Sequence, residues 1–443
     1  MGVALDMLAA GAALTASPGP SVQLAPTEMR TVTATAGQML DLAEQMIQRG
    51  KRSDAERVLE LLSRDPDPNV RNEARYRRAL MLKASGQVQS AALLLRRILD
   101  DKPDSAPVRI QLAQLLDRMG DKDGAWRELR AAQATGLPPA VARIVDRFSE
   151  AIRAQRPVGA SFELAIAPDS NINHATRSDT LGTIFGDFDI DRKSKAKSGL
   201  GLSLRGQAFR RFALGTSDHS LLARASAFGD LYRKTDFNDV GVDVAVGPEL
   251  RIGSNQLNIE LGATQHWYGQ KPFARSVRAA LGWVRPLGKR TQVRLDAAAS
   301  ITDNQFNDLE DGKGYHGRVG VERALSATAG LALSLDLDRQ SLRDAGYSTT
   351  GWRAGFVAWK EVGRATFTAG AEFGALQADD RLLLFPEKRD DRYSRFSLAT
   401  TFRQLTFRGF APVTRITLER NRSTIEFYDY KRARTEIALV RAF

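Results

Sequence analysis

Apolar residues recur at helical spacing as far as Arg156, and at strand spacing from Phe162 onward. The change falls within 156–173: Pro157 disfavours helix at Arg156, and Phe162, Leu164 and Ile166 then alternate with Ser161, Glu163 and Ala165. The spacing therefore predicts helices over 37–156 and strands over 157–443, preceded by a short segment over 1–36.

The helical half carries a repeat. Gly50, Gly86 and Gly120 stand 36 and 34 residues apart. Five residues after each comes an alanine (Ala55, Ala91, Ala125), and nine after comes a leucine (Leu59, Leu95, Leu129). Twelve after comes Leu62, Ile98 or Ala132, and seven before comes Ala43, Ala79 or Ala113. Small residues let antiparallel helices approach closely, and glycine makes the turn between them. The spacing resembles the tetratricopeptide repeat, with a period of about 34 residues. It departs from that pattern in lacking its tryptophan, and only the middle unit has the closing proline, Pro103. A generic helical bundle is the plainer alternative. A seventh helix over 138–155, with Val141, Ile144, Val145, Phe148 and Ile152 on one stripe, is expected to cap the stack.

The strand half reads as a barrel. Short turns fall at 215–218, 253–255, 287–290, 327–330, 362–364 and 404–406. Longer polar stretches fall between them at 171–195, 232–239, 267–272, 303–314, 342–349, 377–392 and 421–429. Short and long connections are expected to alternate without exception, as in outer-membrane barrels. Thirteen connections give a 14-stranded antiparallel transmembrane β-barrel whose termini share the short-turn side. Within strands, Leu331, Leu333, Leu335 and Leu337 oppose Ala332, Ser334, Asp336 and Asp338, while Ile416 and Leu418 oppose Arg415, Thr417 and Glu419. An apolar face beside a charged one suits lipid outside and a wet lumen inside. Arg205, Arg294, Asp296, Glu372, Arg415 and Glu419 are the expected lumen charges, and Trp267, Tyr268, Trp352 and Tyr428 the expected interfacial aromatics.

Composition narrows the chemistry. The 443 residues hold no cysteine, which excludes disulfides and thiolate metal sites. No run of about 18 apolar residues exists, so no spanning helix is expected. Residues 1–36 read as a signal or tether segment, apolar over 3–16, although no Lys or Arg precedes that run and Asp6 interrupts it. The formal charge of +12 is spread along the chain rather than gathered with aromatics, so no nucleic-acid partner is expected. The four histidines, 174, 219, 266 and 316, show no metal-ligand spacing. His174 beside Asp169 and Ser170 is a solvated loop cluster rather than a triad. No catalytic residue, cofactor site or metal site is assigned.

Helical repeats followed by a strand that opens on Ala167-Pro168-Asp169-Ser170-Asn171-Ile172-Asn173 resemble the surface lipoprotein assembly modulator family, the outer-membrane component of the type XI secretion system. The resemblance implies no enzyme and no cofactor. It implies an outer-membrane translocon, with the helical domain in the periplasm, that exports a client protein or surface lipoprotein to the cell surface. Its expected partners are that client, outer-membrane lipid, the barrel-assembly machinery and periplasmic chaperones. It also marks Asp169, Asn171 and Asn173 as client candidates, beside their plainer role as a polar loop start satisfying local backbone groups. Phe443 matches the terminal aromatic that signals barrel assembly, with Arg441 departing from the usual apolar neighbour. The alternatives are exopolysaccharide export and a passive porin with an accessory helical domain. An aromatic content of 7% weighs against a sugar path, and a porin leaves the repeats unexplained.

Overall fold

The computed structural model describes residues 34–119, 121–134, 158–215, 219–288, 290–402, 405 and 410–441. The segment 1–33, Gly120, the expected seventh helix and Phe443 lie outside the described residues. Six helices come first: α1 (Ala36–Gln48), α2 (Arg52–Leu62), α3 (Pro68–Ala84), α4 (Val88–Asp101), α5 (Ala106–Met119) and α6 (Lys122–Ala134). Local chemistry sets their ends. The Thr35 hydroxyl accepts from the Gln38 N–H while the Gln38 side chain accepts from Thr35 N–H, a capping box. Asp67 caps α3 with Pro68 in its first turn. Gly50 and Gly86 sit at φ +78° and +80°, the left-handed turn conformation that a side chain disfavours. Each of the small or aliphatic positions on the repeat spacing, from Ala43 and Ala55 to Leu129 and Ala132, is buried.

Contacts divide the chain after Gly86. In the first unit, α1–α3 enclose a core of Met39, Leu40, Ala43, Val58, Leu59, Leu62 and Ala74. The second unit holds α4–α6 and the strands.

Fourteen strands close the barrel: β1 (Val158–Asp169), β4 (Gly199–Ala213), β5 (Ser220–Tyr232), β6 (Asp239–Ile252), β7 (Asn255–Tyr268), β8 (Lys271–Leu287), β9 (Thr291–Asn304), β10 (Gly312–Ala324), β11 (Ala329–Leu342), β12 (Thr349–Val362), β13 (Ala365–Ala378), β14 (Asp390–Phe402), β15 (Phe410–Ser423) and β16 (Tyr430–Arg441). Neighbours in sequence pair antiparallel, and β1 joins β16 to close the ring. A separate hairpin, β2 (Thr180–Thr183) and β3 (Gly186–Asp189), sits in the loop after β1. Closure leaves no unpaired edge, which is what allows strands to cross lipid. No described helix is long and apolar enough to span a membrane.

The pleat sorts the side chains. Phe162 and Ile166 of β1, Leu261 of β7, Leu333, Leu335 and Leu337 of β11 and Ile437 and Leu439 of β16 are exposed on the outer surface. Asp336, Glu419, Arg434 and Glu436 on the opposite face are buried inside. The connections alternate by side as expected but not by length. Tyr268 pairs with Lys271, so the β7–β8 connection on the long-loop side is only Gly269 and Gln270. Both take positive φ, +56° and +66°, the backbone of a two-residue hairpin turn that lets pairing run to the tip. The polar stretch over 267–272 is therefore strand on both sides of that two-residue turn, because pairing on the wet end of a barrel tolerates polar residues.

Candidate functional site

The lumen carries its charge in linked rows. On the β1 side, Arg415 Nη1 lies 2.6 Å from Glu436 and 3.3 Å from Glu163. Arg205 Nη1 reaches Glu436 at 3.6 Å and Glu163 at 3.8 Å. Arg434 continues the chain to Glu436 at 3.1 Å, Asp230 at 2.8 Å and Asp169 at 3.8 Å. Arg432 then holds Asp169 at 2.5 Å and Glu419 at 3.6 Å, and Arg395 holds Glu419 at 2.8 Å. One ladder thus links β1, β4, β5, β14, β15 and β16. The register builds it directly: Arg415 stands opposite Glu436, and Glu419 opposite Arg432. Each buried charge meets an opposite one, which offsets part of the cost of leaving water.

A second row crosses β10 to β13: Arg318 with Asp336 at 2.7 Å, His316 with Asp338 at 2.8 Å, and Arg353 with Asp338 at 3.4 Å and Glu372 at 3.8 Å. Arg294 and Asp296 pair with each other on β9, 3.0 Å apart. Asp169, Arg205, Arg415 and Glu419 therefore come together in one ladder, while Glu372, Arg294 and Asp296 stand on other walls. Arg395, Arg432, Arg434, Glu436 and Asp230 join that ladder beyond the residues singled out in the sequence. The alternation of Arg432, Arg434 and Glu436 along β16 is the signal that marks the three on that strand.

Asn171 and Asn173 act on backbone. Asn171, fully buried, donates from Nδ2 to the Ala175 and Lys431 carbonyls at 2.8 and 3.1 Å and accepts from Ala175 N–H at 3.0 Å. Asn173 donates to the Lys195 carbonyl at 3.0 Å and accepts from Lys197 N–H at 2.9 Å. Together they pin the two ends of the loop over 170–198.

At the short-turn end, α4–α6 are fastened to the barrel. Arg109, 1% exposed, puts Nη1 2.5 Å from Glu128 Oε2 and Nη2 3.4 Å from Glu361 Oε2 near the end of β12. Arg96 pairs with Glu128 and lies 3.6 Å from Glu361. Arg130 pairs with Glu322 of β10 and donates to the Gln292 side chain of β9 at 2.8 Å. Arg290, in the β8–β9 turn, donates to the Ala134 carbonyl at 3.1 Å. Burial alone would raise the Glu128 carboxyl, but Arg96 and Arg109 overcome it and hold that group below its ordinary value. A cavity of about 660 Å³ opens between this helical face and the lumen wall, lined by Trp126 and Arg127 on one side and by Arg205, Arg211, Arg251 and Arg294 on the other. No local pattern marks the fastening, because Arg109 and Glu361 are 252 positions apart.

Comparison with known proteins follows this division of the chain. A tetratricopeptide repeat model matches residues 82–146. The chain is 20% identical over 377 residues to surface lipoprotein assembly modifier 1 of Neisseria meningitidis, covering 84% of this chain and 76% of that protein. It is 21% identical over 190 residues to the protein of that name from Haemophilus influenzae, covering 43% of this chain and 38% of the relative's length. Among solved structures, a bacterial polysaccharide outer membrane secretin is 11% identical, with a TM-score of 0.35 over 64% of this chain and 98% of that one. The model described as surface lipoprotein assembly modifier matches residues 160–443, which takes in nearly all of the barrel, and the chain belongs to that family of the outer membrane.

Proposed function

We propose that this member of the family exports a client protein, a surface lipoprotein or secreted protein, from the periplasm through the barrel to the cell surface. The observation that carries the reading is the fastening of α4–α6 to the short-turn end by Arg96, Arg109 and Arg130 against Glu361 and Glu322. In this reading the short turns face the periplasm and α4–α6 stand at the entrance. Repeat surfaces bind polypeptides, and a client held there has a raised effective concentration at the pore. The family match and the closed barrel fit transport or assembly rather than catalysis. Barrel-assembly machinery and periplasmic chaperones are the further partners this route implies.

Deleting residues 38–156 tests it. The barrel is expected to insert normally and the client to stay in the periplasm, read by labelling the client on intact cells. Equal surface display with and without the helices overturns the reading.

A further inference from the structure

One seam of the barrel differs from its neighbours. On the β4 side, β1 pairs along its whole length, from Val158↔Arg210 to Asp169↔Gly199. On the β16 side the ladder runs from Glu163↔Val440 to Ile166↔Ile437, skips Ala167 and Pro168, and resumes at Asp169↔Arg434. Pro168 has no N–H to give a ladder. Past it, the Ser170 N–H donates to the Ala433 carbonyl at 3.0 Å and the Ala433 N–H to the Ser170 hydroxyl at 2.8 Å, and inside the lumen Asp169 meets Arg432 and Arg434, Glu163 meets Arg415, and Arg205 reaches Glu436. Those pairs are exchangeable. If β1 and β16 part, Glu163 keeps Arg205, Arg415 and Arg434 keep Glu436, and Arg432 keeps Glu419. Parting the seam also takes Arg434 from Asp230 of β5; of these two carboxylates only Asp169 stands on the seam strand itself, with both its ion partners on the far strand, so Asp169 is the latch.

The outer loops add a second observation. The Ile184 N–H of the β2–β3 hairpin donates to the Leu384 carbonyl at 3.1 Å, and Gly182 N–H to Glu426 Oε2 at 3.4 Å. The hairpin is thus tied to the loops after β13 and β15, the sector beside β16. Its apolar side chains and those of the loop it is tied to face water: Phe185 is 74% and Leu383 86% exposed, and Ile184, Phe188 and Leu384 are exposed as well.

We infer that the β1–β16 seam is a lateral exit for acyl chains, latched by Asp169 and topped by this apolar shelf; the inference rests on the export reading and names a lipid-modified client. The physical reason is solvation. An acyl chain drawn through a lumen walled by ion pairs would lose its hydrocarbon surroundings. A seam open to lipid keeps the chains in the bilayer while the polypeptide follows the polar lumen.

The chain has no cysteine, so Ala165→Cys with Ala438→Cys introduces the only thiols, on directly opposed residues. Opposed residues of antiparallel strands, about 4.5–5.5 Å apart at Cα, suit a disulfide. The full-length variant is reconstituted into vesicles carrying a fluorescent diacylated cysteinyl peptide in both leaflets, and dithionite is added outside. Reduced protein is expected to let all the label be quenched, and oxidised protein only the outer-leaflet label. A control pair across β14–β15, Ser397→Cys with Thr417→Cys, is expected to permit full quenching in both states. Asp169→Asn is expected to quench severalfold faster than wild type. Full quenching by the oxidised seam variant, or outer-leaflet quenching alone by the reduced one, overturns the inference. An unchanged rate in Asp169→Asn overturns the latch. The peptide carries no protein client, so any of these failures leaves the export reading to the deletion experiment.

Discussion

Glu128→Gln should loosen the helical fastening while leaving the barrel intact. Glu128 is buried and shared by two guanidiniums, one of them on Arg109, itself 1% exposed. Removing one partner of a buried ion pair costs about 3–5 kcal/mol. The amide keeps the shape and one acceptor oxygen, which retains about 1 kcal/mol. Glu361 stays within 3.6 Å of Arg96 and 3.4 Å of Arg109 as residual countercharge. A net loss of about 2–3 kcal/mol follows, and at about 1.4 kcal/mol per tenfold this is a roughly 30- to 140-fold fall in protection. Amide hydrogen exchange of full-length protein in detergent micelles reads it as faster exchange in α6, with the strand amides of β10–β13 unchanged. Unchanged α6 exchange in a folded variant refutes the reasoning. So does an equal loss across the strands, which would make Glu128 a general stability residue.

The same group sets a pH dependence. Because the folded value for Glu128 is depressed, its contribution is fully present above the ordinary carboxylate value of about 4.3 and is lost as pH falls through the folded value. Exchange in α6 should therefore be flat, after correction for intrinsic rates, from neutrality to about pH 5 and rise below about pH 4. Asn171→Ala removes three side-chain hydrogen bonds to backbone, a loss of about 2–3 kcal/mol; external protease should cut within 170–198 faster while the barrel still resists unfolding without boiling. Gly247→Leu should block assembly, since even its Cβ would lie 1.8 Å from the Ile259 carbonyl oxygen; the measurement is the loss of the heat-modifiable band on a denaturing gel.

The sequence by itself determined the class of the main helices and barrel strands and the sorting of their faces, though not the β2–β3 hairpin or the strand ends over 267–272. Helical spacing buries Ala55, Leu59, Ala91 and Leu95 whatever the neighbours, because a helix must cover its apolar stripe. Strand alternation likewise fixed which of Leu335 and Asp336 meets lipid. It also supplied the strand count, because turn residues punctuate each hairpin locally. Only the tertiary structure decided which charges meet. Asp169 and Arg432 are 263 residues apart, and nothing local to either names the other. Ring closure places β1 against β16, and the register of that one pairing sets Asp169 opposite Arg434 and within reach of Arg432, while Asn171 turns to backbone of its own loop and of β16 and Asn173 to its own loop. The fastening of α4–α6 was hidden for the same reason. A side-chain period reports the environment of a position, whereas partnership across 252 residues is set by how the closed sheet brings distant strand ends beneath the helices.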